Sequence, residues 1–182
     1  MKKNKPESYL TNLLGDLLLA EGERVAAEKG FDLAPSVSFF NYGGIRTFLP
    51  KGEITVGKIF ELMPFENEMV FLKLTGAQLQ EFLDYVAAGR GGSMGGARFT
   101  ISDRKAINAE IGSVRLNPEE NYWLVTNDYV ANGGDDLEML KQCSEFINSG
   151  VKIRDVIIAH LKEMNNKNEL LTSKLDGRIS YE

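Results

Sequence analysis

Met69-Val70-Phe71-Leu72-Lys73-Leu74-Thr75-Gly76-Ala77-Gln78-Leu79 joins two kinds of structure end to end. Met69 to Leu74 alternates as a strand does, with successive side chains on opposite faces. Thr75 and Gln78 then stand at capping-box spacing: the threonine hydroxyl can take the third backbone amide while the glutamine reaches back. The helix opened there runs to about Ala88 and turns Leu79, Phe82, Leu83 and Val86 to one side.

Outward from this pair, helices and strands keep alternating. Residues 7–29 read as an amphipathic helix, with Leu10, Leu13, Leu14, Leu17 and Leu18 at three- and four-residue steps and Gly30 as its stop. Ser36–Phe40 reads as a buried strand, and Ile54–Met63 as a short helix ended by Pro64. Gly89–Gly96 has five glycines in eight residues and reads as no regular element. Strands are predicted over Arg98–Ser102, Ala109–Leu116 and Tyr122–Thr126, with an Asn117-Pro118 turn, and a last helix over Val151–Met164. The regular βαβ spacing of a doubly wound sheet is missing. The expected class is therefore α+β (mixed α/β), with layered mixed sheets and packed helices. We expect one domain, residues 1–182, with residues 1–6 as a short disordered lead.

Composition narrows the function. A chain of 182 residues can bury roughly two-thirds of its unfolded surface. A net charge of −5 argues against general nucleic-acid binding, which needs a basic face. The apolar stretch Leu10–Ala20 is broken by Thr11, Asn12, Gly15 and Asp16, so neither a membrane span nor a signal-peptide core is expected. Cys143 is the single cysteine, which rules out an internal disulfide.

Two loops carry the chemistry. Thr126-Asn127-Asp128-Tyr129-Val130-Ala131-Asn132-Gly133-Gly134-Asp135-Asp136 ends a strand with an aromatic, two glycines and paired carboxylates. It can set a flat ring and an acidic acceptor against a small planar ligand. Asn41-Tyr42-Gly43-Gly44-Ile45-Arg46 offers the complement, a glycine turn and a guanidinium able to grip phosphate bidentately. Phe65, after Pro64, can form a second stacking face with Tyr129, since aromatic rings stack on any nucleobase. Each has a plainer account: Arg46 as a surface arginine, Phe65 as a core anchor, Asp135 as a turn-stabilising carboxylate.

Catalytic machinery is harder to find. His160 is the lone histidine, on a helix where a structural role is expected, and Cys143 reads as a small buried hydrophobe. Gly89-Arg90-Gly91-Gly92 lacks the order of a P-loop and is expected to be a flexible surface loop. A dinuclear phosphoesterase centre needs several His, Asp and Asn ligands, which one histidine cannot supply in the usual way.

Taken in order, five stretches make the chain resemble the C-terminal domain of the 5′-nucleotidase family from Glu7 to Ile179. They are Glu7–Leu13 (like E-x-x-L-G-N-L), Asn41–Arg46 (like N-G-G-G-I-R), Met63–Asn67 (like L-P-F-G-N), Leu74–Leu79 (like L-T-G-A-Q-L) and Thr126–Asp136 (like T-N-D-F-L-A-x-G-G-D-G). In that family a metal-binding phosphatase domain precedes this one and the domain rotates to carry the nucleotide to the metals. The resemblance implies that Arg46 holds phosphate, Asn41 and Gly43 line the site, Phe65 and Tyr129 sandwich the base, and Asp135 contacts ribose.

The departures are specific. Tyr129 replaces phenylalanine, and its hydroxyl is free to add a base contact. Tyr42 replaces a glycine and Asp136 the last glycine. The family's upstream arginine falls on Asn4, between Lys3 and Lys5. Gly91-Gly92-Ser93 replaces a bulkier run, which implies a looser loop after Arg90. The leading expectation is a nucleotide- or nucleoside-binding half, inactive alone, with no cofactor of its own. A separate metallophosphatase chain would supply divalent metals, in a periplasmic or secreted setting. The alternatives are a stand-alone nucleotide-binding module without turnover, or a docking remnant.

Overall fold

The computed structural model describes residues 1–182. In chain order its elements are α1 (Tyr9–Lys29), β1 (Ser36–Phe40), α2 (Val56–Leu62), β2 (Glu68–Thr75), α3 (Gly76–Ala88), β3 (Ser93–Gly95), β4 (Ala97–Ser102), β5 (Lys105–Ile111), β6 (Val114–Arg115), β7 (Asn121–Asn127), α4 (Asp128–Ala131), β8 (Glu145–Lys152), α5 (Ile153–Asn166) and β9 (Ile179–Tyr181). The strands form two mixed sheets, β3-β1-β7-β2-β8 and β6-β5-β4-β9. This is the mixed, layered α/β class that the sequence predicts.

The five-stranded sheet is the middle layer, and period-2 alternation divides its side chains between two cores. Val70, Leu72 and Leu74 of β2 face a core closed by α3 and the smaller sheet. Met69 and Phe71, one step out of phase, face a core closed by α1, α2 and α5. Trp123 and Val125 of β7 join that second core, while Tyr122 and Leu124 join the first. A sheet covered on both faces reads as a nearly continuous apolar run, as Tyr122–Val125 does.

Helix starts follow local chemistry. Thr75 Oγ1 accepts from Gln78 N at 3.2 Å and Gln78 Oε1 accepts from Thr75 N at 2.9 Å, the capping box predicted for α3. Ser8 and Thr11 make an equivalent reciprocal pair at the start of α1, so the helix begins at Tyr9 rather than at residue 7. It ends on Gly30 in the left-handed conformation, as expected of a glycine stop.

Several expectations need correction. Gly89–Gly96 does contain a regular element, the buried strand β3, which pairs antiparallel with β1. Its preceding loop lies at the surface only at Gly89 and Arg90 and is not loose beyond them: Gly91 and Gly92 are buried, Gly91 abuts the backbone of Pro6, and Ser93 Oγ donates to Thr11 O at 2.7 Å. The strand predicted over Ala109–Leu116 is two, β5 and β6, split by a turn in which Gly112 and Ser113 both have positive φ. The helix predicted from Val151 starts at Ile153, because Glu145–Lys152 is an edge strand paired with β2. Cys143 is only partly buried at the margin of a core.

Residues 1–6 follow a fixed course. The terminal ammonium donates to Leu49 O, Leu49 N donates to Met1 O at 2.9 Å, and Lys5 Nζ donates to Gly89 O. The other end of the chain is held by a buried arginine. Arg178 reaches Asp16 on α1 at 2.5 and 2.9 Å, Asp176 at 2.9 Å, and Met94 O at 2.8 Å, which fixes β9 beside β4.

Candidate functional site

Register brings the two loops together. β1 runs parallel to β7 with Ser38 opposite Val125, and β2 runs antiparallel to β7 with Met69 opposite Asn127. The end of β1, the end of β7 and the start of β2 therefore share one edge of the central sheet. From that edge leave the Asn41–Arg46 turn, the Tyr129–Asp136 loop and, just before β2, the Phe65 loop.

Side chains link all three. Asn127 is fully buried; its Oδ1 caps α4 at Val130 N (2.8 Å), and its Nδ2 donates to Asn41 Oδ1 at 3.0 Å. Asn41 Nδ2 in turn donates to Asp135 Oδ2 at 2.8 Å. Tyr129 Oη donates to Asp135 Oδ1 at 2.9 Å and Tyr85 Oη donates to Asp135 O at 2.6 Å. Arg46 is exposed, with Nη1 donating to Gly43 O at 3.3 Å and its guanidinium carbon 6.0 Å from the Phe65 ring centre. All six residues singled out in the sequence, Asn41, Gly43, Arg46, Phe65, Tyr129 and Asp135, thus belong to one contiguous cluster.

Phe65 is no core anchor. It is 50% exposed and Tyr129 is 48% exposed, and neither ring stacks on another aromatic. Both loops are nevertheless held firmly. Arg154, itself 6% exposed, donates to Pro64 O and to Glu66 at 3.3 Å each and lies 4.1 Å from the Phe60 ring centre. Ile153 N donates to Asn67 O at 3.0 Å. Under Tyr129, a side chain on Gly134 would place its first carbon 2.4 Å from the phenol ring, so only glycine lets the ring lie there.

The Asn41 turn is electropositive. Lys3 Nζ donates to Tyr42 O at 2.9 Å and Ile45 O at 2.5 Å, and sits 4.3 Å from the Tyr42 ring centre; Lys5 Nζ lies 4.9 Å from the same ring. Burial and then the neighbouring Arg46 and Lys5 charges hold the Lys3 ammonium below its usual pKa. Burial and then Arg90 do the same to Lys5. The hydrogen-bond acceptors of Lys3, Lys5 and Arg46 are carbonyl oxygens, so their positive charge is left for an anion. Beside the turn lies a cavity of about 380 Å³, lined by Lys5, Asn41, Tyr42, Gly43, Tyr85 and Asp135 among others.

Sequence reasoning missed Asn127, Tyr85 and Arg154. Asn127 stood inside the quoted motif, and its N-cap position before Val130 was the readable signal. Tyr85 and Arg154 act from helices far away in sequence, and no local pattern marks them. His160 is a satisfied structural histidine, with Nδ1 2.9 Å from Glu21 Oε1. No group of three or more His, Cys, Asp or Glu side chains is placed to hold a metal ion.

The family described as 5′-nucleotidase, C-terminal domain matches residues 1–142. The chain belongs to that family. It is 28% identical over 189 residues to the trifunctional nucleotide phosphoesterase protein YfkN of Bacillus subtilis, covering 95% of this chain and 12% of that protein. It is 27% identical over 166 residues to protein UshA of Yersinia enterocolitica, covering 88% of this chain and 29% of that one. In structure it resembles the 5′-nucleotidase precursor of Thermus thermophilus, with TM-score 0.80, 29% identity, and coverage of 99% of this chain and 36% of the other. The Haemophilus influenzae NAD nucleotidase NadN shares the fold at TM-score 0.72 and 17% identity, over 97% of this chain and 33% of that one. The chain thus spans about a third or less of the length of these relatives. No helix is long and apolar enough to cross a membrane.

Proposed function

We propose that this chain is the nucleotide-binding part of a 5′-nucleotidase-type phosphohydrolase. In this reading a nucleobase lies between Phe65 and Tyr129, the ribose meets Asp135, Asn41 and Gly43 line the cleft, and Arg46 holds the phosphate. Lys3 joins Arg46 there, taking the place of the arginine that the family carries near Asn4. The observation that carries the reading is the unbroken chain of contacts from Tyr129 through Asp135 and Asn41 to the Arg46–Phe65 pair. An acidic acceptor, two half-exposed rings and a cluster of free cations fit the sugar, base and phosphate of a nucleoside monophosphate.

The chemistry belongs elsewhere. The chain's one histidine and scattered carboxylates do not fit a dinuclear metal centre, so the water-activating metals are assigned to a separate metallophosphatase domain or chain. Family resemblance supports a periplasmic or secreted setting for the assembly. The test is phosphate release from nucleoside monophosphates by this chain alone, and again with a metallophosphatase domain and a divalent metal. We expect release only in the second case. No release with any partner, alongside saturable nucleotide binding, would favour the second reading, a binding module without turnover.

A further inference from the structure

Gly133 to Asp136 is the most constrained backbone of the site. Gly133 has φ of 88°, Asp135 of 56° and Asp136 of 63°, left-handed values that side-chain-bearing residues seldom adopt. Two tyrosine hydroxyls keep Asp135 there. Tyr85 donates to its carbonyl at 2.6 Å; Tyr129 accepts from its amide at 3.2 Å and donates to Oδ1 at 2.9 Å. Asn41, itself fixed by Asn127, donates to Oδ2 at 2.8 Å. Each carboxylate oxygen therefore has one partner from the protein.

An ionised carboxylate offers about four acceptor sites, two on each oxygen. With one taken on each, one remains on each, and Asp135 is exposed. Two free sites on neighbouring oxygens match a vicinal cis-diol, whose hydroxyls each donate one hydrogen bond. The Tyr129 proton is committed to Asp135 and so does not serve as the base contact that the sequence allowed. The hydrogen bond to Asp135 also raises the phenol's pKa above its ordinary value, in keeping with its role as donor.

Resting on the reading of the site given above, we propose that the Tyr129 hydroxyl sets sugar specificity. It holds Asp135 in the one arrangement that presents both oxygens to a ribose 2′,3′-diol. The ring meets the base; the hydroxyl is a positioning group that acts through Asp135. A phenylalanine at this position would leave the ring in place and release Oδ1, so that the carboxylate is held only through Oδ2 by Asn41.

The test is calorimetry with adenosine and 2′,3′-dideoxyadenosine on the unaltered chain, on Tyr129→Phe and on Asp135→Asn, with thermal melting of each. The unaltered chain should prefer adenosine. Tyr129→Phe should melt normally, bind the dideoxy compound within about twofold of the unaltered chain, and lose about tenfold for adenosine, the worth of one hydrogen bond. Asp135→Asn should lose the preference altogether. Equal loss of both ligands in Tyr129→Phe would assign the hydroxyl to stacking or folding and overturn the proposal. Tighter adenosine binding would make the hydroxyl a competitor of the diol and overturn it as well. Equal affinity of the unaltered chain for both ligands would sink this inference and leave the nucleoside site standing. Binding of neither ligand, nor of uridine or adenosine monophosphate, would remove the site and the inference together.

Discussion

Arg46 is the residue on which phosphate recognition turns. Its guanidinium is exposed and its protein acceptor is a carbonyl, with no carboxylate to neutralise it. Replacing it by alanine should weaken nucleoside monophosphate binding by about 1.5–3 kcal/mol, the usual worth of a charge-assisted contact, and leave nucleoside binding nearly unchanged. Calorimetry on both ligands separates the two outcomes; equal losses would mean that Arg46 touches no phosphate. Gly134 gives a second residue-level prediction. The first carbon of an added side chain would lie 2.4 Å from the Tyr129 ring, so Gly134→Ala should displace the ring and reduce base affinity with little change in melting temperature. Residue identities at this site were readable, since Asn41, Arg46, Tyr129 and Asp135 sit in short motifs. The exposure of Phe65 was not. Its sequence neighbours, Pro64 and Glu66, say nothing of the Arg154 guanidinium that holds their loop open from α5.

Between elements, one tight backbone contact joins α1 to the edge strand β3 of the central sheet. A side chain on Gly15 would put carbon 2.3 Å from the backbone of Met94 and 2.8 Å from Gly95 N, and Ser38 Oγ donates to Gly15 O at 2.6 Å. Backbone on both sides leaves no flexible group to yield. Gly15→Ala should cost about 1–3 kcal/mol, as overpacking usually does, and lower the urea midpoint accordingly. At α3, Thr75→Ala removes one half of the capping box and should cost about 1 kcal/mol by the same measurement. The capping box and the apolar stripe of α3 were legible because both are local. β8 was not, because an exposed edge strand needs no strong alternation: its hydrogen bonds come from β2, more than seventy residues earlier. β3 was hidden for a different reason, since its one glycine, Gly95, serves close approach to Gly15 and not a turn.

For the molecule as a whole, the two chain ends act as clasps. Arg178 hydrogen-bonds Asp176 and Asp16 from a buried position, and that bond to Arg178 holds the Asp176 carboxyl below the usual carboxylate range. The folded-state pKa thus lies below the unfolded one. Its stabilisation is fully present above the unfolded value and drains away as pH falls through the folded value. Asp176→Asn should therefore lower stability at neutral pH by about 1–3 kcal/mol and flatten the acid limb of the stability curve. Denaturant titrations at neutral and acidic pH measure both; an unchanged acid limb would show that the clasp contributes nothing.

Local chemistry in the sequence determined where most helices begin and end, the two-faced alternation of β2, the class of the fold, and the loop motifs that mark the family. These depend on interactions within a few residues, which any stretch of chain carries with it. Only the tertiary structure decided that residues 41, 65 and 135 meet at one sheet edge, that Lys3 crosses to the Asn41 turn, and that the Tyr129 hydroxyl is spent on Asp135. Those outcomes follow from strand register and from contacts between distant segments, whose geometry exists only once two cores have closed around the central sheet.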